Sequence, residues 1–414
     1  MDISLVVIGD ELLIGQVVDT NSGDIARMVA PAGWAVRQVR TVHDDAAAIR
    51  AAIEDSLAES DIVVTTGGLG PTKDDITKAT LREIFGGEMR RDEGVAVHIR
   101  DVFARRGLHM NALTESQAMV PDSCRVIPNA LGTAPVMWFE RDGKVLVSMP
   151  GVPFETRYAF ANEVLPRLLE RFGERCVVEH RTLVVVGITE SDLAERISDW
   201  EDSLPAGLHL AYLPHAGYIR LRLDCEGGNE ESVHLILDEA VQWLVDSLGE
   251  HVLATEDATP EQLLMKELNE RRLTLGCAES CTGGNIAHRM TMLPGVSEVF
   301  MGGVVSYSNG VKESMLGVSG STLAAFGAVS EQVAGEMAEG ILRTLGVDCA
   351  VATSGIAGPG GGTAEKPVGM VCMAFAVKSE TAVRTFRFPG DRSRVIDRAS
   401  TVAFIEMVKF LRKH

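Results

Sequence analysis

Leu273-Thr274-Leu275-Gly276-Cys277-Ala278-Glu279-Ser280-Cys281-Thr282-Gly283-Gly284 carries apolar residues at Leu273, Leu275 and Cys277, the period of a short strand. Asn285 to Met292 then suits a helix, so the stretch reads as strand, turn, helix, the repeating unit of an α/β fold. Ser280 falls in the turn, where a hydroxyl is exposed. Gly283 and Gly284 permit close approach of backbone to a ligand, and N–H groups at the helix start are aimed where an oxyanion or phosphate would sit. This arrangement suits acyl transfer, with substrate contacts along Cys281, Thr282, Gly283 and Gly284. A serine before a helix is also an ordinary N-cap.

The rest of the chain sets bounds on that reading. With 414 residues and about 150 per domain, two or three domains are expected. A hydrophobic fraction of 46% with 23% charged residues is globular composition. The net charge of −19 argues against general binding to nucleic acid or anionic membrane, while leaving room for a small anionic ligand. Seven scattered cysteines without a C-x-x-C spacing indicate neither a disulfide framework nor a zinc cluster. No basic leader and no apolar run of about 18 residues is read, so a cytoplasmic protein without membrane spans is expected.

Ile3 to Ile8 is a continuous apolar run suited to a buried parallel strand, followed by Gly9-Asp10-Glu11-Leu12-Leu13-Ile14-Gly15, Asp19 and Asn21. A strand over Trp34 to Thr41, a helix over Asp45 to Ala58 and a strand over Ile62 to Thr66 continue the β/α alternation. The third strand enters Thr65-Thr66-Gly67-Gly68-Leu69-Gly70-Pro71-Thr72-Lys73-Asp74-Asp75. Gly67, Gly68 and Gly70 are expected to present N–H groups to phosphate, and Asp74 and Asp75 to bind a hard cation such as Mg²⁺, with Glu11 and Asp19 as further ligands. The plain alternatives are an N-cap for Asp74 and a first-turn charge favoured by the helix dipole for Asp75, and it is the coincidence of glycines, a Lys and adjacent carboxylates that favours the ligand reading. Two strands, Pro135 to Phe139 and Lys144 to Ser148, then meet Met149-Pro150-Gly151-Val152-Pro153-Phe154-Glu155, first of all a rigid turn.

Gly-Asp-Glu-Leu-Leu-x-Gly with Asp-x-Asn, Thr-Thr-Gly-Gly-Leu-Gly-Pro-Thr-x-Asp-Asp and Met-Pro-Gly-Val-Pro-x-Glu, in that order, resemble the N-terminal domain of the CinA family. The resemblance implies a molybdopterin-binding-like α/β domain over residues 1–172 with metal-dependent ADP-ribose pyrophosphatase activity. It also implies that Asp74, Asp75, Glu11, Asp19 and Glu155 are metal or pyrophosphate residues. A non-catalytic nucleotide or pterin binder stays open, as does a scaffold in competence or DNA recombination. Residues 176–250 read as a small α+β module, which the resemblance likens to a KH-type domain. It carries 4 Lys plus Arg against 15 Asp plus Glu and no Gly-x-x-Gly loop, so a spacer or dimerisation role fits better than RNA binding. Leu213-Pro214-His215 is expected to be a turn with a surface histidine.

In the last domain, residues 258–414, a serine nucleophile needs a base. No Ser-His-Asp set is apparent, which leaves Lys312, whose pKa of about 10.4 would have to fall by several units through burial or a neighbouring positive charge. Tyr307 is the candidate helper, and Cys281 the rival nucleophile. A helix-start charge and a packed aromatic are the plain alternatives for Lys312 and Tyr307. Ser354-Gly355-Ile356-Ala357-Gly358-Pro359-Gly360-Gly361-Gly362 suggests recognition of a ligand by backbone, and Arg392 a fork for phosphate.

Ala-Glu-Ser-Cys-Thr-Gly-Gly, Tyr-Ser-Asn-x-x-Lys, Ser-Gly-Ile-Ala-Gly-Pro-x-Gly-Gly and Gly-Asp-Arg resemble the CinA C-terminal domain, a nicotinamide-mononucleotide deamidase. The resemblance implies Ser280 as nucleophile, Lys312 as base and Tyr307 as helper. Thr353, Gly355, Gly358 and Arg392 would contact substrate, with no cofactor at this site. A homodimer acting on nicotinamide mononucleotide and ADP-ribose is the expected whole.

Overall fold

The computed structural model describes residues 1–72, 75–107, 109–173 and 177–414. The chain divides into two compact units, Met1–Glu179 with Cys225–Leu235, and His180–Asp224 with Ile236–His414. In the first, the apolar run becomes the strand Asp2–Ile8, parallel to Ala35–Val42 on one side and Ile62–Thr66 on the other. Lys144–Met149 extends the sheet in parallel, and Val136–Arg141 and Arg125–Ile127 complete it antiparallel, giving six strands. Residues Ile3 to Ile8 are all buried, because helices cover both faces of a sheet whose central strands never meet water. The Asp45 carboxylate accepts the Ala48 N–H at 2.9 Å and starts the helix Ala46–Glu59. Asn111 caps a short helix, Ala112–Ser116, in the same way, its side-chain oxygen accepting the Thr114 N–H at 2.9 Å.

The middle module has the strand order Leu208–His215, Tyr218–Gly227, Val177–Val185, Val252–Ala254, with helices Glu190–Glu201 and Glu230–Leu248. Here one expectation is corrected. Leu213-Pro214-His215 is not a turn but the end of strand Leu208–His215, and the chain reverses at Gly217, whose φ is 96°. That strand lies at the sheet edge, where a proline's missing N–H leaves no ladder bond unmade.

The last sheet runs in the order Phe300–Val305, Leu275–Glu279, Cys349–Gly355, Met370–Val377, Glu380–Arg387. The first three are parallel and the last two form an antiparallel hairpin. Cys277 packs with Val351, Phe375, Phe404 and Val408 on one face, and Ala278 with Ala350, Ala352 and Met337 on the other. Gly276 brings the helix Glu331–Leu345 close, since a Cβ there would lie 2.6 Å from the Ile341 Cγ2. The sheet thus places Leu275–Glu279 between two parallel neighbours, so its carboxyl end opens into a crevice where α/β sheets take ligands. Among the described residues no helix is long and apolar enough to cross a membrane.

Candidate active site

Ser280 leaves the carboxyl end of Leu275–Glu279 and precedes the helix Asn285–Thr291. Its N–H donates to the Thr353 carbonyl at 3.0 Å, which ties the turn to the neighbouring strand. Its own carbonyl accepts the Gly283 N–H at 3.2 Å. Gly283 and Gly284 have φ of 63° and 100°, a left-handed pair that swings the chain from strand into helix. A Cβ on Gly283 would meet nothing within 4 Å, so backbone conformation, not space, calls for glycine there.

Lys312 comes from the first turn of the helix Asn309–Leu316 and is 1% exposed. Its Nζ stands 3.1 Å from Ser280 Oγ and donates to the Ser306 carbonyl at 2.6 Å. Burial lowers its pKa below the usual lysine value. A Cys281 thiolate would oppose this, but burial pushes the Cys281 thiol up to about 12, so it stays neutral. The positive end of the helix dipole acts in the same direction as burial. A neutral amine so held keeps one N–H on the Ser306 carbonyl and turns its lone pair to the serine hydroxyl.

A cavity of about 190 Å³ opens in front of this pair, lined among others by Cys281, Tyr307, Ser354, Gly355 and Arg392. Tyr307 is 64% exposed and stands at the mouth. Its hydroxyl accepts from Arg392 Nη2 at 3.0 Å, while Arg392 Nη1 donates to the Gly358 carbonyl at 3.0 Å. The arginine therefore joins the tyrosine to the glycine loop across the entrance. Gly355 must be glycine for packing, because a Cβ would lie 2.6 Å from the Met370 carbonyl oxygen.

Two expectations change here. Thr353, expected against substrate, is fully buried behind the turn, its hydroxyl 2.8 Å from that of Thr282. The N–H groups at the helix start are not open to a ligand either. Those of Gly284, Ile286 and Ala287 donate to the Glu279 carboxylate at 3.0, 3.1 and 2.8 Å. The N–H groups of Cys281 and Thr282, the two residues that follow the serine, donate to no other residue among the described ones. Sequence reasoning passed over Glu279, Ser306 and Ser354. The signal for Glu279 was its place directly before the serine in a strand otherwise apolar.

Cys281 is 6% exposed and holds its proton, which removes the advantage of a thiol. Cys281→Ala is expected to keep labelling of Ser280 by a small fluorophosphonate within about threefold of the wild-type rate, since the replaced group is inert and small. The labelling rate read by mass checks this, and a loss above a hundredfold would return the thiol to candidacy.

In the first unit, a cavity of about 520 Å³ gathers Glu11, Asp19, Gly68, Asp75 and Glu155 beyond the carboxyl ends of the parallel strands. Gly67, Gly70 and Asn21 line it too. Asn21 Nδ2 donates to the Gly151 carbonyl at 2.9 Å, joining the first acidic segment to the Pro-Gly-Val-Pro turn. The glycine loop departs from the expected phosphate cradle. The Gly67 N–H goes to the Met149 carbonyl at 3.1 Å, and the Gly70 N–H to Asp75 Oδ1 at 2.7 Å. A Cβ on Gly67 or Gly68 would lie 2.1 Å from the Ile8 carbonyl oxygen or Thr77 Oγ1, so these glycines serve packing.

Three of the cavity's carboxylates, Asp75, Asp19 and Glu155, also accept hydrogen bonds from within the protein. Asp75 Oδ2 accepts from the Thr72 N–H at 2.8 Å and from the Thr72 hydroxyl. Asp19 accepts the Ser22 N–H at 3.1 Å, and Glu155 the Asn129 amide at 2.8 Å. Asp74 lies outside the described residues. Among the described residues no group of three or more acidic, histidine or cysteine side chains could hold a metal ion. Hard oxygen donors of the right chemistry are present, yet by themselves they do not form a cage for a divalent cation. Asn21 Oδ1 and Thr66 Oγ1 are buried without partners, polar groups at the cavity that a ligand would satisfy.

Comparison with known proteins covers almost the whole chain. Residues 4–170 match a family model described as "Probable molybdopterin binding domain", 180–254 the damage-inducible protein CinA KH domain, and 257–411 the CinA C-terminal domain. A CinA-like protein of Flavobacterium psychrophilum is 41% identical over 413 residues, 99% of this chain and 98% of the relative. One of Chlorobaculum tepidum is 43% identical over 397 residues, 94% and 93% of the two chains. Among solved structures, the competence/damage inducible protein CihA of Agrobacterium tumefaciens is 40% identical, covering 37% of this chain and 95% of that one, with a TM-score of 0.36. The architecture is therefore three domains of mixed α/β build, molybdopterin-binding-like, KH-like and CinA C-terminal in order.

Proposed function

This chain belongs to the CinA family, and from that premise we propose that its C-terminal domain is an amidohydrolase that converts nicotinamide mononucleotide to nicotinate mononucleotide and ammonia. The observation that carries the reading is the buried Lys312 amine 3.1 Å from the Ser280 hydroxyl. In the proposed mechanism Lys312 Nζ takes the Ser280 proton as Oγ bonds to the carboxamide carbon. The carbonyl electrons move onto oxygen, which the N–H groups of Cys281 and Thr282 stabilise. On collapse the C–N bond breaks and ammonia leaves with the proton held by Lys312. Water, deprotonated by the same amine, then bonds to the acyl carbon; the acyl–Oγ bond breaks, Lys312 returns the proton to Ser280 Oγ, and the acid is released. Within about 190 Å³ the cavity suits the nicotinamide ring, leaving ribose and phosphate toward Tyr307 and Arg392 at the mouth. Ammonia release by the full chain in the presence of chelator tests the reading; a wild-type protein that releases none overturns it.

For the N-terminal domain we propose hydrolysis of a nucleotide pyrophosphate of the ADP-ribose class. Support comes from the size of its cavity, the two unpartnered polar groups and family membership. No described lining residue is Lys or Arg, so two phosphates would enter against five carboxylates unless a cation accompanies them. Metal dependence is thus the point to test. Asp75→Ala removes the acceptor for Gly70 and Thr72 and is expected to lower metal-dependent AMP release from ADP-ribose about a hundredfold, through loss of loop geometry. Retention of activity would remove Asp75 from the site. Absence of AMP from the wild type, with ADP-ribose still bound, would favour a non-catalytic binder.

A further inference from the structure

We propose that Glu279 is the positioning residue of the Ser280–Lys312 pair, holding the nucleophile through its carboxylate and the base through its main chain; this rests on the amidohydrolase reading. Glu279 is 0% exposed, and a carboxylate is buried at such depth only when its oxygens are well supplied with donors. Three N–H groups of the turn and helix start supply them, with the Cys277 thiol a fourth donor at 3.6 Å. The remaining N–H of the helix start, that of Asn285, goes to the Thr282 carbonyl at 3.1 Å. A helix of seven residues needs no more than a short polar side chain at its N-cap. A buried glutamate five residues upstream of that cap does something else. It closes Ser280 to Gly284 into a loop whose two ends are both fixed by one residue.

The other half of the link runs through the backbone. The Glu279 carbonyl accepts the Ser306 N–H at 2.7 Å, and the Ser306 carbonyl accepts Lys312 Nζ at 2.6 Å. The nucleophile and the base, 32 residues apart, are thereby referred to the same residue. One consequence is chemical: the helix start is filled by a carboxylate, so the N–H groups of Gly284, Ile286 and Ala287 are not available to an oxyanion, while those of Cys281 and Thr282 are. A 3.1 Å contact between hydroxyl and amine is sensitive to small shifts, and a misplacement of about 1 Å costs about a hundredfold in rate.

Glu279→Gln keeps the shape but offers one acceptor oxygen and turns an NH₂ toward a backbone donor; Glu279→Asp keeps the charge but falls short of the helix. For both, kcat for ammonia release is expected to drop about a hundredfold with KM within about threefold. The acid limb of the pH profile should stay where wild type has it, since Lys312 is still buried. Labelling of Ser280 by a small fluorophosphonate, read by mass, should slow by the same factor without reference to any substrate. Wild-type kcat and labelling in Glu279→Gln overturn the proposal while leaving the deamidase reading intact. Labelling of wild type on Ser280 without ammonia release defeats that reading alone, and the labelling rates still decide Glu279. Should both variants fail to fold, residue-resolved hydrogen exchange on the wild type decides. Protection at Gly284, Ile286 and Ala287 with fast exchange at Cys281 and Thr282 sustains the proposal, and the reverse pattern overturns it.

Discussion

Ser280→Ala is expected to abolish ammonia release from nicotinamide mononucleotide, by about 10⁴-fold or more in kcat, with KM changed little. The size of the effect follows from what the side chain does. It supplies the only hydroxyl within hydrogen-bonding reach of the Lys312 amine among the described residues, and alanine leaves the amine facing a cavity with nothing to activate. The fold should survive, because the bonds Ser280 itself gives the turn run from main chain to main chain, its N–H to Thr353 and its carbonyl from Gly283, and the Glu279 carboxylate that closes the turn is untouched. Residual rate would come from binding and from the Cys281 and Thr282 N–H groups acting on a water attack. A variant that keeps a tenth of wild-type kcat would mean that another group attacks the amide.

Much of this site was legible in the sequence, for a physical reason. A strand ending in a serine and followed by two glycines and a helix specifies its own geometry locally, so the strand Leu275–Glu279 and helix Asn285–Thr291 lie where the pattern puts them. Lys312 was accessible by elimination of other bases, and its burial brings it to Ser280. What local pattern cannot report is where hydrogen bonds are spent. Glycines 67 and 70 read as open phosphate donors, yet their N–H groups are used by Met149 and Asp75 from within the protein. Glu279 read as one more polar residue in a motif, and only tertiary placement reveals that it fills the helix start. Thr353 failed for the same reason: a threonine beside a glycine-rich loop looks ligand-facing until its strand proves to be the one behind the turn. The proline at 214 misled differently, since its turn signal is overridden when a strand has no partner on that side.

Lys312→Met is the second large effect, an expected loss of about 10³-fold in kcat, because methionine fills the same channel without a proton acceptor. Lys312→Arg should be no better, its guanidinium remaining charged at every working pH. For the wild type the lowered pKa fixes the sign of the pH dependence. Only the neutral amine accepts the serine proton, so kcat/KM should rise about tenfold per pH unit on the acid limb and level off below the ordinary lysine value of 10.5. Stability obeys the same titration. Between the lowered folded value and 10.5 the unfolded chain holds a proton that the folded chain lacks, so stability rises with pH across that window. Below the window both states are protonated, and the cost of burying the ammonium is constant. Lys312→Met removes this slope, although it leaves the Ser306 carbonyl without its donor, worth about 1 kcal/mol. Urea unfolding of wild type and Lys312→Met at neutral pH and again near pH 9.5 separates the two contributions. A wild type whose stability does not grow relative to the variant as pH rises would show that Lys312 folds with an unshifted proton, and a lysine in that state is no base for Ser280.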